Sequence, residues 1–398
     1  MNIFVINSGS SSIKYQLFRW PTEQPVCSGL VERVGSEQAT ISHKVFAGGV
    51  PTEQRLTLPL PDHEAGLLEV VRLLTDGVIQ DPGDIDVVGH RVVHGGESFS
   101  QATPITPEVK AEIQRLFGLA PLHNPANYLG IAVAERVFPR ARQVAVFDTA
   151  FHQTLPEKAF RYALPTALYT EQRIRRYGFH GTSHQYVAAQ AAAYLGQPDA
   201  KLITIHLGNG CSMAAVRGGQ SLDTSMGFSP LAGLVMGTRS GDVDPSILLH
   251  LTGPLGYSPE QVNTLLNKGS GMLGLAGSND MRDISQALAA GDAAAQLAYD
   301  IYVYRIRQYI GAYAAVLNGL DAIIFTAGVG ENDALVRQLV CKDMDFFGLA
   351  LDEAQNRQRQ PGLRDLSAPG SRAKILVVPT NEELEIAQQC AALFASAS

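Results

Sequence analysis

Three short glycine-bearing runs carry the most specific chemistry in this sequence: Asn7-Ser-Gly-Ser-Ser-Ser12, His206-Leu-Gly-Asn-Gly-Cys-Ser212 and Thr326-Ala-Gly-Val-Gly-Glu-Asn332. Each follows an apolar run that reads as a strand. Glycine lets a backbone come close to a phosphate, and the exposed N–H groups and neighbouring hydroxyls then donate to its oxygens. None of the three is a Walker A loop or a Rossmann G-x-G-x-x-G fingerprint. Singly, each is also what a plain hairpin turn looks like. Three in one chain point to a nucleotide cleft. Lys14 follows the first turn, where it can reach a phosphate or stand as a solvated strand lysine.

A second concentration is of imidazole and guanidinium groups. Seven of the ten histidines lie between positions 90 and 206: His90, His94, His123, His152, His180, His184 and His206. His90/His94 and His180/His184 are spaced i, i+4, which on a helix would suit zinc. But His90-Arg-Val-Val-His-Gly-Gly96 is β-branched and ends in glycine, so it reads as a strand end. There i and i+4 lie over ~12 Å apart. Tyr177-Gly-Phe-His-Gly-Thr-Ser-His184 reads as a glycine-broken loop. Both features argue against zinc. Arg91 stands just before Gly95-Gly96, and Arg239 lies in Met236-Gly-Thr-Arg-Ser-Gly-Asp242. An arginine among small residues can point into a cleft, where its planar fork suits carboxylate or phosphate. A surface salt bridge is the alternative. Asp148 ends an apolar strand, the place where open α/β sheets bind ligands. Asn381-Glu-Glu383 likewise follows a strand, and also fits an acidic helix start.

What positions these groups is an alternation of strand-like and helical runs, which indicates an α/β fold. The clearest strands are Ile3–Ile6, Val87–Val93, Gln143–Phe147, Lys201–Ile205, Ala322–Phe325 and Lys374–Val378. The strand–turn–strand at Asn2–Phe18 returns, half a chain later, at Lys201–Val216, which suggests a duplicated fold. Two similar hairpins can also arise by chance. The boundary falls near Asp148–Phe151. With 398 residues, 45% hydrophobic and 17% charged, the chain has material for two cores and is not a disordered, collagen-like or coiled-coil sequence. The stretch from Ser285 to Leu320 reads as one buried helix or two, and Pro361–Arg372 as a loose segment. Net charge is −7, which gives no global attraction for nucleic acid. Cys27, Cys211, Cys341 and Cys390 form no C-x-x-C pair. No secretory signal and no membrane-length apolar run is expected, so the default compartment is cytoplasmic.

Taken in order, these segments resemble the acetate/propionate kinase family of the sugar kinase and actin superfamily, from Asn2 to about Ala387. The resemblance rests on Asn7-Ser-Gly-Ser-Ser-Ser-Ile-Lys14, His90-Arg-Val-Val-His-Gly-Gly96, Phe147-Asp-Thr-Ala-Phe-His152, Arg176–His184 and His206–Gly210. It continues through Gly233-Leu-Val-Met-Gly-Thr-Arg-Ser-Gly-Asp242, Phe325–Asn332 and Pro379-Thr-Asn-Glu-Glu383. Leu207, Val329 and Cys211 depart slightly from the family pattern.

It implies two ribonuclease-H-like, actin-like ATPase domains with an interdomain cleft. They span 1–150 and 151–383, with a helix 384–398 returning to the first. It implies transfer of the ATP γ-phosphoryl group to acetate by direct in-line displacement, giving acetyl phosphate and ADP. Propionate or another short-chain fatty acid is the alternative acceptor. By the same resemblance Ser10, Ser12, Lys14, His206, Leu207, Gly208, Asn209 and Gly210 cradle the phosphates. Asp280, Met281, Arg282, Gly328, Val329, Gly330, Glu331 and Asn332 border the adenosine. Asn7 and Glu382 position Mg²⁺, or Mn²⁺ in its place. Arg91 holds the carboxylate, Val93, Leu122, Phe179 and Pro230 enclose the methyl group, and Arg239 and His180 steady the phosphoryl group. Asp148 is the catalytic carboxylate. Because acetate is already ionised at pH 7, Asp148 is read as orienting Arg91 or metal-bound water rather than as a base. A homodimer joined through the second domain, with apolar surface near Tyr299–Leu317, is expected, and neither nucleic acid nor membrane is an expected partner. A metal-dependent hydrolase, suggested by the histidines, and a non-catalytic nucleotide-binding regulator are the readings from other classes.

Overall fold

Ile3, Phe4, Val5 and Ile6 are each at most 2% exposed, so both faces of their strand are covered. That is why the run is continuously apolar rather than alternating. In the computed structural model, which describes residues 1–46 and 50–395, this strand (β1, Asn2–Ser8) is central to an eight-stranded sheet. On one side lie the antiparallel strands β2 (Ser12–Arg19), β3 (Pro25–Glu32), β4 (Ser36–Val45) and β5 (Thr52–Leu60). On the other, β6 (Val87–Val92) and β8 (Arg142–Phe147) run parallel to β1, and the short β7 (Thr103–Pro104) closes the edge. The order is β5-β4-β3-β2-β1-β6-β8-β7. Helix His63–Thr75 is capped by Asp62, which accepts the Ala65 N–H at 2.8 Å. Phe4 packs on Phe138 and Tyr15 with ring centroids 5.4 and 5.7 Å apart. Each such buried side chain contributes about 1.5–3 kcal/mol. This sheet belongs to a unit formed by Met1–Phe151 and Asn381–Ser398. Helix Glu382–Ala395 is seated on it by Gln388 donating to Glu23 (2.9 Å) and by the Arg142 guanidinium 3.7 Å over the Phe394 ring. Residues 396–398 of the expected returning segment lie outside the described residues.

The second unit, His152–Thr380, has six strands: β9 (Lys201–Leu207), β10 (Cys211–Arg217), β11 (Gln220–Thr224), β12 (Ala322–Thr326), β13 (Arg364–Asp365) and β14 (Lys374–Val377). The order is β11-β10-β9-β12-β14-β13. β9 and β10 form an antiparallel hairpin, and β9, β12 and β14 run parallel. This repeats the first unit's β3-β2-β1-β6-β8 core strand for strand, so the echo in the sequence is a structural duplication. The long helical stretch is two helices, Met281–Ala289 and Ala293–Leu317, broken where Gly291 turns at φ 85° and Asp292 caps the second. Pro361–Arg372 is less loose than expected: Arg364–Asp365 joins the sheet edge, and Asp365 pairs with Lys374 at 2.7 Å.

Two segments differ from the sequence reading for local reasons. Thr326–Asn332 is not a turn: Ala327–Asn332 is a short helix, its first N–H accepted by the Glu331 side chain at 2.9 Å. His180–His184 is not a loop. His180 takes a left-handed conformation (φ 56°) and caps helix Gly181–Leu195, whose first turn the His184 N–H closes onto the His180 carbonyl (2.9 Å). Only His184 of the pair is therefore helical, and no group of three or more His, Cys, Asp or Glu among the described residues is placed to hold a metal ion. No helix among them is long and apolar enough to cross a membrane.

Candidate active site

In the first unit the parallel strand ends bring Asn7, Arg91 and Asp148 together, and helix Glu382–Ala395 adds Glu382. Arg91 pairs through Nη2 with Asp148 Oδ2, and its Nε donates to Oδ1 at 3.2 Å. Its Nη1 lies 3.4 Å from Asn7 Oδ1, and Glu382 Oε2 is 3.8 Å from Nε. Burial works against the guanidinium charge, but Asp148 and Glu382 outweigh it and raise its pKa. Asp148 is 1% exposed, and its two oxygens meet two nitrogens of one arginine. That fork-to-fork contact fixes the direction of the guanidinium. Burial, with Asp148 and Glu383 nearby, raises the pKa of Glu382 against the opposing pull of Arg91 and Lys14. Oxygen donors from Asn7 and Glu382, beside further carboxylate charge, suit a hard divalent cation that keeps much of its water. Lys14 pairs with Glu383 at 2.6 Å while half exposed. Ser10 and Ser12 stand in the β1–β2 turn, which is closed by Gly9 N–H to Ser12 O (2.8 Å) and held from behind by His63 Nε2 at the Gly9 carbonyl (2.8 Å). Val93 is buried just past the end of β6, and Leu122 is 67% exposed.

In the second unit the β9–β10 turn is closed by Gly208 N–H to Gly210 O at 3.0 Å. A Cβ built on Gly210 would stand 2.8 Å from Arg239 Nη2 and 3.4 Å from His180 Nε2. Arg239, His180 and the phosphate-type turn thus converge on one point, and glycine is what lets the two side chains lie there. Arg239 is partly buried, which lowers its pKa, and donates to the Pro230 carbonyl at 2.6 Å. It pairs with no carboxylate among the described residues, unlike Arg91. The histidines are tied by hydroxyls. Ser212 Oγ lies 2.8 Å from His180 Nδ1 and 2.7 Å from His184 Nε2, and His184 Nδ1 is 2.7 Å from Thr204 Oγ1. One hydroxyl donates to only one ring, so the other ring donates to it. With the Thr204 hydroxyl turned to the Ala214 carbonyl (3.4 Å), the chain assigns an N–H to His180 Nδ1. Burial drives the pKa of His184 well down and keeps it neutral. His206 stacks on His180 at 4.2 Å and bonds Ser183 at 2.8 Å. Phe179 is buried, its carbonyl 3.1 Å from His152 Nε2.

Beside this point opens a cavity of about 1060 Å³, at the upper end of small-molecule and cofactor pockets. Gly208 and Asn209, read above as cradling phosphates, and Asp280, Met281, Arg282, Gly328, Val329, Glu331 and Asn332, read as bordering adenosine, line this one cavity. Leu207 is wholly buried, so only its backbone can face a ligand, and Gly330 is buried behind the wall. Sequence reasoning missed Arg337, Asn279, Ser285 and Tyr302 in the lining. Arg337 is 1% exposed with its pKa lowered by burial to about 10. It donates to the Gly330 carbonyl (2.8 Å) and to Asn356 (2.7 Å). A signal was present: Arg337 shares the buried face of its helix with Val336, Val340 and Cys341, and a charge on an apolar face has work to do there.

The profile of the Acetokinase family matches residues 2–388. The acetate kinase of Flavobacterium johnsoniae is 54% identical over 98% of both chains, and that of Nitratidesulfovibrio vulgaris (strain Miyazaki F) 53% over 99% of both. Among solved structures, the acetate kinase of Porphyromonas gingivalis superposes with a TM-score of 0.93 at 43% identity, covering 99% of both chains. A propionate kinase from Francisella tularensis gives 0.90 at 41%, covering 98% of both. The duplicated sheet is therefore the actin-like ATPase fold of these kinases, and the chain belongs to the acetokinase family.

Proposed function

We propose that this chain is an acetate kinase, moving the γ-phosphoryl group of ATP to acetate and running the reverse from acetyl phosphate and ADP. The observation that carries this is the convergence of Arg239, His180 and the Gly208–Gly210 turn beside a cavity of about 1060 Å³. A partly buried arginine with no carboxylate partner is a site for an anion that arrives with the substrate. A carboxylate oxygen of acetate bonds to the γ-phosphorus, and the bond to the bridging oxygen breaks with its electron pair leaving on ADP. No proton needs removing. The obstacle is repulsion between the carboxylate and the phosphates, which fixed positive groups offset in the transition state. Arg91 binds the carboxylate, and Asp148 orients Arg91 rather than acting as a base. Arg239, with His180 beside it, stabilises the phosphoryl oxygens. When bound by Asn7 and Glu382, Mg²⁺ supplies charge neutralisation on the phosphates. Val93, buried beside the Arg91 strand end, limits the acyl chain on the first unit's side.

The protein works as a homodimer in a reducing, cytoplasmic compartment. Helix Pro245–Thr252 supports the dimer: it buries none of its residues, and Ile247 and Leu249 are 45% and 73% exposed. The expected stretch Tyr299–Leu317 turns Tyr299, Tyr302, Ile306, Ile310 and Tyr313 into the core and leaves Tyr304 (64%) and Val316 (45%) exposed, so it too offers apolar surface. The four cysteines are free and buried. The test of the acceptor is kcat/KM with Mg-ATP against formate, acetate, propionate and butyrate. Acetate should lead propionate by roughly ten- to two-hundred-fold, the discrimination a methylene allows. Equal turnover of acetate and propionate contradicts the acetate assignment.

A further inference from the structure

β1 and β6 stay paired from Ile3–Val87 to Ile6–His90 and then part. The residues proposed to bind ligands begin at that parting, Asn7 on one strand and Arg91 on the other. The gap is filled by the side chain of Asn127, 4% exposed, from helix Asn124–Val137. Its Nδ2 donates to the Ser8 carbonyl at 2.8 Å, and its Oδ1 accepts the Val93 N–H at 3.1 Å. A carboxamide carries the donor and acceptor of a peptide group, so it takes the place of a missing rung between the strands. The helix is fixed against this gap at two further points. Asn124, fully buried, bonds both the N–H and the carbonyl of His94, at 3.0 and 2.9 Å. Gly130 admits Ser8 so closely that a Cβ there would stand 2.3 Å from its Oγ.

We infer that Asn127 is a positioning residue for the acceptor half of the reaction. By bridging the parted strand ends it sets the spacing of Asn7 and Arg91 and the placement of Val93. The inference rests on the reading of Arg91 as the carboxylate-binding group. Asn127 touches no substrate; it acts through the two backbones it joins. Binding of the adenosine part, in the second unit's cavity, should not depend on it.

The test compares Asn127→Ala and Asn127→Asp with wild type, with Arg91→Lys as the control for the underlying reading. Unfolding temperature and ADP affinity are measured on each. Asn127→Asp is nearly isosteric, keeps the acceptor for the Val93 N–H and loses the donor to Ser8. It decides the matter if Asn127→Ala fails to fold. Misplacement by about 1 Å can cost roughly 10²-fold in rate. Asn127→Ala should therefore lower kcat/KM for acetate by about that factor and raise acetate KM at least fivefold, with ADP affinity within twofold of wild type. Asn127→Asp should show the same pattern, less severely. A residue needed only for stability would lower kcat with the folded fraction and leave acetate KM in place, and that pattern in the folded variants overturns the proposal. If Arg91→Lys shows the acetate defect and neither Asn127 variant does, the proposal alone falls. If Arg91→Lys binds and turns over acetate like wild type, the reading of Arg91 falls and takes the proposal with it.

Discussion

Gly210→Ala isolates the convergence of Arg239 and His180. Gly210 does not sit in the left-handed region, so alanine meets no backbone penalty there. The new methyl would lie 2.8 Å from Arg239 Nη2, a flexible end, and 3.4 Å from two His180 ring atoms. Ordinary contact for such atoms is about 3.5 Å, so the guanidinium tip must retreat by roughly 0.7 Å while the imidazole shifts little. Since a 1 Å misplacement can cost 10²-fold, kcat should fall about 10- to 100-fold, or 1.4–2.8 kcal/mol of barrier. Complete loss of the arginine should cost more, on the order of 10³. Gly210 is not part of the cavity lining but belongs to the turn read as cradling the phosphates, so ADP affinity should fall less than kcat does. The assay is steady-state formation of acetyl phosphate beside ADP titration and thermal unfolding of the same preparation. A variant with normal unfolding and kcat within threefold of wild type would refute the idea that these groups work from the position seen.

Arg91→Ala should lose stability as well as activity, because it strips the guanidinium from a carboxylate that is 1% exposed. Breaking such a pair costs about 3–5 kcal/mol, and adding Asp148→Asn should recover much of it in urea unfolding without restoring activity; no recovery would show that the pair is not the cause. Burial lowers His90, His94 and His152 to about 4, against about 6.5 when unfolded. The unfolded chain therefore binds more protons between those values, so stability present above pH 6.5 falls on acidification, by up to about 1.4 kcal/mol per unit per histidine, and levels off below pH 4. Urea midpoints at pH 7.5 and 5.0 check the sign, and an equal or higher midpoint at pH 5.0 contradicts it. Leu249→Asp should shift the mass seen by light scattering at micromolar concentration from dimer toward monomer, and a monomeric wild type would remove the dimer proposal.

The strands were legible because the central ones are buried on both faces, which forces unbroken apolar runs such as Ile3–Ile6 and Ala322–Phe325. The duplication was legible because each sheet opens with the same hairpin. What sequence could not give was pairing over distance. Asp148 lies 57 residues from Arg91; the family resemblance left it orienting either Arg91 or metal-bound water, and nothing local chose the two-oxygen clamp on the guanidinium. Glycine misled twice. Gly178 and Gly181 made His180–His184 look like a loop, whereas the left-handed backbone stops at Gly178 and His180 and the alanine-rich run after them carries a helix. In Thr326–Asn332 the Glu331 side chain satisfies the first N–H that a glycine-rich start leaves bare. Asn127 escaped notice because it bonds to backbone atoms of other segments, and such partners leave no residue type to read.

The most direct measurement of the central claim is trapping of the product. Wild type and Arg239→Ala, both shown folded, are incubated with acetate, Mg-ATP and hydroxylamine, and the acyl hydroxamate is quantified. The same preparations are assayed for ATP formed from acetyl phosphate and ADP. The account predicts hydroxamate from wild type, ATP in the reverse assay, and a fall of about 10³ or more in both for Arg239→Ala. Folded wild type giving no hydroxamate above the enzyme-free blank, or Arg239→Ala keeping above roughly a tenth of wild-type activity against that expected fall, would contradict it.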